Sequence, residues 1–145
     1  MIKVAICDDD IQFIYKLEQS IFRFAEMKRI KVDVDGYTSG AEFIQKLQQS
    51  ERYDLLFLDI ELGDSSGIIV GNWIRSQIQY ESMQIVFVSA KEMYAMQLFD
   101  LRPMNFLVKP IQQERVDYIL DEYERLYQFQ PHIIEIGKGR NSIRI

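Results

Sequence analysis

Two periods of hydrophobic and polar positions take turns along this chain. "IKVAIC" (2–7) is a β-branched-rich run that stops at three aspartates. Residues 11–26 then carry Ile11, Ile14, Leu17, Ile21 and Ala25 on one helical stripe. "KVDVDGY" (31–37) alternates like a strand. Ser39, with Glu42 three residues on, makes a capping box that opens a short helix through Phe43, Ile44 and Leu47. "DLLFLD" (54–59) is a near-continuous apolar strand. Gly63, Asp64, Ser65, Ser66 and Gly67 read as a flexible loop, followed by a helix over 67–79. "QIVFVSA" (84–90) is another buried strand, 91–101 reads as a helix ending before Pro103, and "NFLVKP" (105–110) is a fifth strand. Residues 112–129 repeat Val116, Ile119, Leu120, Tyr123, Leu126 and Tyr127 at helical spacing.

Five strand–helix units in a row predict an α/β fold. Continuous apolar strands are buried on both faces, as in a parallel sheet coated by helices. Right-handed crossovers make that sheet doubly wound, with strand order 2-1-3-4-5. Its functional crevice then lies beyond the C-terminal ends of strands 1 and 3, where the order reverses. The tail differs. "HIIEIGKGRNSIRI" (132–145) reads as strand, Gly-Lys-Gly turn, strand, and carries Lys138, Arg140 and Arg144 against one Glu. A lone hairpin is marginal in water, so this one needs a domain to pack on.

Composition narrows the function classes. The chain has 145 residues, enough for one domain with a sizeable core. Its formal charge of −5 argues against a nucleic-acid grip by this domain, which would need a basic face. One cysteine, Cys7, permits neither an intramolecular disulfide nor a Cys-based metal cluster, and it reads as a small buried hydrophobe. The only histidine, His132, has no acidic or Cys partner in ligand spacing. No stretch approaches the ~20 apolar residues that span a bilayer, and the N-terminus lacks a signal-peptide pattern, so the expectation is a cytoplasmic protein without membrane contact.

The chemistry collects at the strand ends. Strand 1 ends at Asp8, Asp9 and Asp10, strand 3 at Asp59, strand 4 at Ser89 and strand 5 at Lys109. In the expected sheet these ends converge on one crevice. Crowded carboxylates repel, and a divalent cation relieves them. Mg²⁺ suits the set best, because it takes hard oxygen ligands and needs only one or two carboxylates. An aspartate beside such an ion can attack phosphorus to form an acyl phosphate. Mg²⁺, Lys109 and the Ser89 hydroxyl then each neutralise part of the phosphoryl charge. Asp10 reads as an N-cap or turn residue.

At these residues the sequence resembles the CheY-like response-regulator receiver domain of bacterial two-component signalling. The matching stretches are "ICDDD", "FLDIEL" followed by Gly67, "FVSA" and "NFLVKP", in order, over residues 1 to about 128. The resemblance implies a flavodoxin-like five-stranded sheet. It implies Asp59 as phosphoacceptor, and Mg²⁺ held by Asp8, Asp9, Asp59 and the Glu61 carbonyl. Ser89 and Lys109 take phosphoryl-binding roles, Phe106 is the switch aromatic, and the Lys109-Pro110 bond is cis. A sensor histidine kinase is the implied donor. The module is a switch rather than a turnover enzyme, limited to its own phosphorylation and dephosphorylation.

"CDDD", "LDIEL" and "NFLVKPI" most resemble the LytTR-type subfamily, in which a receiver is joined to a mainly β DNA-binding domain. Residues 129–145 then form a linker and the first hairpin of that domain. DNA binding and transcription control belong to its missing part. The face of the fourth helix, fifth strand and fifth helix holds Met93, Tyr94, Met96, Leu98 and Phe99, a surplus of apolar residues that fits a homodimer surface. Ile69 and Trp73, four apart on the third helix, depart from the family's usual polar pattern. They read as cover for a neighbouring side chain, or as an apolar contact for the kinase, a second protomer or the tail hairpin. Two other functions compete. A haloacid-dehalogenase-type phosphohydrolase would use Asp8 as nucleophile and Asp10 as acid. An FMN binder is disfavoured, because "CDDD" would repel the cofactor phosphate.

Overall fold

Strands covered on both faces can be apolar throughout, and β3 is the clearest case, with every residue buried. The structure is a computed structural model describing residues 1–128. β1 (Ile2–Cys7), β2 (Val32–Tyr37), β3 (Leu55–Asp59), β4 (Gln84–Ser89) and β5 (Asn105–Val108) form one sheet in the order β2-β1-β3-β4-β5. Every pairing is parallel. The expected doubly wound sheet is therefore the one observed. Period-two alternation sends successive β1 residues to opposite layers. Ala5 and Cys7 join Phe43, Leu47, Val70 and Ile74 of α2 (Gly40–Gln48) and α3 (Gly67–Arg75). Val4 and Ile6 join Leu17, Ile21, Ile119 and Leu120 of α1 (Ile11–Lys28) and α4 (Gln113–Tyr123).

Three short polar side chains start the helices on the crevice side. Asp10 caps α1 by accepting from the Gln12 and Phe13 N–H groups at 2.9 and 3.4 Å. The expected Ser39 cap accepts from the Glu42 N–H at 3.0 Å, and Ser66 caps α3 through the Ile68 N–H at 3.0 Å. The loop before α3 is more tightly held than its Gly/Ser content implies. Asp64 accepts from the Gly40 and Ala41 N–H groups at the start of α2, each at 3.2 Å, which also lowers its pKa.

Several elements differ from the sequence expectation. Ile11 is 65% exposed rather than part of the core stripe, because the Asp10 cap makes it the first helical residue, ahead of the turn that contacts the sheet. The helix expected over 67–79 stops at Arg75, and a 3₁₀ turn follows at Ile78–Tyr80. The expected helix over 91–101 is a 3₁₀ segment, Glu92–Leu101. The last helix gives way to a π turn at Glu124–Gln128, where Tyr127 stacks on Tyr123 with ring centroids 5.1 Å apart. Leu126 and Tyr127 are consequently exposed. The expected hairpin over 132–145, with His132, Lys138, Arg140 and Arg144, lies outside the described residues. Among the described residues no helix is long and apolar enough to cross a membrane.

Candidate functional site

The strand order reverses at β1, which has β2 on one side and β3 on the other, so the crevice opens over the C-terminal ends of β1 and β3. Asp8 follows β1 directly, and its N–H donates to the Tyr37 carbonyl at 3.0 Å as an extension of the β1–β2 ladder. Asp59 is the last residue of β3 and pairs in register with Val88, one residue before Ser89. The Lys109 N–H donates to the Ser89 carbonyl at 2.8 Å, which extends the β4–β5 ladder in the same way. Sheet register alone therefore brings the expected residues to one edge.

Their side chains meet there. Asp8, Asp9 and Asp59 each place a carboxylate oxygen within 4.8 Å of the others. Asp8 and Asp59 are 1% and 4% exposed, while Asp9 faces solvent. The Lys109 ammonium lies 2.9 Å from Asp8 Oδ2 and 3.7 Å from Asp59 Oδ2. The second Asp8 oxygen accepts from the Asp10 N–H at 2.8 Å. Both Asp8 oxygens are thus engaged, and the Asp10 carboxylate that the phosphohydrolase reading takes as its acid caps α1 instead.

Burial pushes the Asp59 carboxyl up to about 6, and the negative charge of Asp8 adds to the effect. Lys109 and the Glu61 N–H, which donates to Asp59 Oδ1 at 3.4 Å, act in the opposite direction. Burial alone would lower the Lys109 pKa, but its hydrogen bond to Asp8 and the charges of Asp59 and Asp8 overcome this and raise it. Three carboxylates against one ammonium leave an excess of two negative charges when all are ionised. Hard oxygen donors with that excess fit a divalent cation.

Ser89 is wholly buried, and its Oγ accepts from the Lys91 N–H at 2.9 Å. Lys91 in turn pairs with Glu61 at 3.2 Å, so the residues two beyond Asp59 and Ser89 form an exposed ion pair. Phe106 is half-buried, pairs in register with Phe87, and packs against the core layer beneath α2 and α3. The Lys109-Pro110 peptide is cis, as the resemblance implied. Ile69 is exposed, whereas Trp73 lies over Tyr80 with ring centroids 5.6 Å apart, matching its reading as cover for a neighbour.

Sequence reasoning missed two contributors. The Phe13 ring lies under the Lys109 ammonium, 4.3 Å from ring centroid to Nζ. It sits in the first turn of α1, and the sequence gives no register between that turn and β5. Gly67 was noted only as part of a loop and a motif, not for its contact with β3. A Cβ there would collide with the Asp59 carbonyl oxygen and come within 2.8 Å of the Ile60 Cα. The absence of a side chain lets α3 start directly against the end of β3, with the Gly67 N–H donating to the Ile60 carbonyl at 2.7 Å.

Known proteins place this arrangement. The chain is 30% identical over 131 residues to the sensory transduction protein LytT of Bacillus cereus, covering 90% of this chain and 50% of that protein. It is 30% identical over 126 residues to the sensory transduction protein LytR of Streptococcus agalactiae, covering 87% and 49%. It is 28% identical over 128 residues to the transcriptional regulatory protein YpdB of Escherichia coli, covering 88% and 50%. The chain thus spans about half the length of the curated relatives it matches. The names LytT and LytR agree with the subfamily to which the motifs pointed. Among solved structures, the response regulatory domain of mrkE from Klebsiella pneumoniae shares the fold with a TM-score of 0.75 at 23% identity, covering 87% of this chain and 98% of that one. A two-component response regulator from Clostridium difficile does so with a TM-score of 0.73 at 24% identity, covering 89% and 100%. The response regulator receiver domain family matches residues 4–121, the span that contains every strand end described above, and the chain belongs to that family.

Proposed function

We propose that this receiver domain accepts a phosphoryl group on Asp59, with Mg²⁺ held by Asp8, Asp9, Asp59 and the Glu61 carbonyl. The observation that carries the reading is the buried Asp59 carboxylate, set between the carboxylates of Asp8 and Asp9 and the ammonium of Lys109. Burial strips water from Asp59 and leaves its ionised oxygen as a nucleophile. That oxygen forms a bond to phosphorus while the bond from phosphorus to the donor's leaving atom breaks. For a phosphohistidine donor the leaving nitrogen takes up a proton from solvent. The ion, when bound, supplies positive charge against the carboxylates and the developing phosphoryl charge. Lys109, already 3.7 Å from Asp59, is placed to pair with a phosphoryl oxygen. The Ser89 hydroxyl accepts one hydrogen bond and keeps its own proton to donate to another such oxygen.

A sensor histidine kinase is the proposed donor, and the proposed output is a DNA-binding domain continuing from residues 129–145, with residues 1–128 as the receiver. The intervening signal runs through Ser89 and Phe106 to the face of Glu92–Leu101, β5 and α4. Met93, Met96 and Phe99 are exposed there, which supports pairing with a second copy. The test is incubation with acetyl phosphate and Mg²⁺, read by intact mass. The wild-type chain should gain one phosphoryl group, and Asp59→Asn or omission of Mg²⁺ should abolish the gain. A gain that survives in Asp59→Asn moves the acceptor elsewhere.

A further inference from the structure

Arg75, in the last turn of α3, is not one of the residues gathered at the strand ends, yet it binds the segment next to that chemistry. Its Nε donates to the Leu101 carbonyl at 2.7 Å, and its Nη2 donates to the Arg102 carbonyl at 3.3 Å. Nη1 donates to the carbonyls of Met83 at 2.8 Å and Glu81 at 3.4 Å, just before β4. One guanidinium thus ties α3, the lead-in to β4 and the C-terminal end of Glu92–Leu101 together. It pairs with no carboxylate among the described residues. Its charge is spent on main-chain carbonyls, including those that end the 3₁₀ segment, where a cation is favourable.

The segment it holds is wound as a 3₁₀ helix, but the spacing of its residues suits a second winding. Glu92–Leu101 is a 3₁₀ run of 10 residues, whereas runs longer than 3–4 are uncommon. Tyr94, Leu98 and Leu101 pack inward and are spaced four and three apart, the spacing that suits an α-helix. Met93, Met96 and Phe99 are exposed and three apart, so 3₁₀ winding eclipses them into one straight apolar ridge. In α winding the same residues would fan out over about 120°. The two windings also differ in length, at about 20 Å for 3₁₀ and about 15 Å for α. The opposite end begins at Lys91, whose N–H is bound to Ser89 Oγ and whose ammonium is bound to Glu61.

We infer that Arg75 is a positioning residue that pins the C-terminal end of Glu92–Leu101, so that any rewinding of the segment is expressed at its N-terminal end, beside Ser89 and Lys91. Rewinding then moves the end nearest the acceptor and breaks up the apolar ridge, while Leu101, Arg102 and the start of β5 stay fixed. The trigger rests on the reading of Asp59 as acceptor, because a phosphoryl group there would compete for the Ser89 hydroxyl. The pin itself does not depend on that reading.

Hydrogen exchange resolved by segment on the full 145-residue chain separates the two. Without phosphorylation, Arg75→Met should speed exchange over 100–104 about tenfold or more, the loss expected for one charge-assisted hydrogen bond at 1.4 kcal/mol per decade, and leave β1 and β2 unchanged. Arg75→Lys should fall between the two, and it serves alone if the Met variant does not fold. Unchanged exchange over 100–104 in both variants overturns the pin. After acetyl phosphate and Mg²⁺, with the mass gain verified, wild type should change over 91–97 and hold steady over 100–104. In Arg75→Met the change should spread to 100–104. A purely structural role would slow or speed both states equally. A verified mass gain with equal changes at both ends of the wild-type segment overturns the inference and leaves the acceptor intact. Absence of the mass gain overturns the trigger and the acceptor assignment, while the unphosphorylated comparison still decides the pin.

Discussion

Replacing Asp59 with asparagine should make the metal-free domain more stable at neutral pH, although it removes the proposed nucleophile. The folded-state pKa of about 6 lies above the ordinary value of 3.8. Between those two values the folded chain holds a proton that the unfolded chain has released, so stability falls as pH rises through the window. Above about pH 6 the penalty is complete. A difference of roughly two pH units is worth about 3 kcal/mol at 1.36 kcal/mol each. Asparagine keeps the shape without the charge, so Asp59→Asn should recover up to about 3 kcal/mol, less whatever the wild-type site already relieves by admitting water. Its lost contact with Lys109 matters little, because Lys109 keeps its 2.9 Å partner Asp8.

The assay is urea unfolding of both chains in EDTA, near pH 7.5 and again near pH 4, with comparable m-values as the check that the same two states are compared. The variant should be the more stable at the higher pH, and the gap should close at the lower one. Adding Mg²⁺ near pH 7.5 should shrink the gap, because an ion that binds only the folded wild type stabilises it by mass action. A variant no more stable than wild type in EDTA, or a gap indifferent to pH, would refute the claim that burial and Asp8 load this carboxylate.

Lys109→Ala should destabilise the metal-free chain by about 3 kcal/mol in urea unfolding near pH 7.5, because it strands the buried Asp8 and Asp59 carboxylates, and added Mg²⁺ should restore part of the loss. Equal stability with and without the lysine would contradict the ion-pair account. Gly67→Ala should cost about 2–4 kcal/mol, read by thermal or urea melts, since its methyl group meets backbone that cannot yield without moving β3 or α3. Alanine at both Glu61 and Lys91 removes the exposed ion pair flanking the acceptor, and the decay rate of the phosphorylated chain, followed by intact mass, should change. An unchanged decay rate would remove any role for that pair in shielding the acyl phosphate from water.

The sheet was readable from the chain because each strand is an apolar run of the right length, and a parallel sheet leaves such runs few other places to go. The same regularity carried the site. Asp59 and Ser89 end their strands, and Asp8 and Lys109 come one residue after theirs, so register alone gathers them. Contacts that depend on how helices sit against the sheet were not readable. Phe13 meets Lys109 only because the Lys109 side chain reaches back to Asp8, just ahead of α1, and Arg75 finds its four carbonyls only once two loops have closed around it. The winding of Glu92–Leu101 was missed for a different reason. Its inward residues Tyr94, Leu98 and Leu101 fit α spacing, and nothing in local propensity marks the run as 3₁₀.

The central claim is that a single carboxylate at the edge of the sheet takes the phosphoryl group. Borohydride reduction tests it most directly, since it converts an aspartyl phosphate to homoserine and leaves free carboxylates alone. After treatment with acetyl phosphate and Mg²⁺, reduction and peptide mass mapping should find homoserine at position 59 and aspartate unchanged at 8, 9 and 10. Homoserine at position 8 or 9, or at none of the four, would contradict the account.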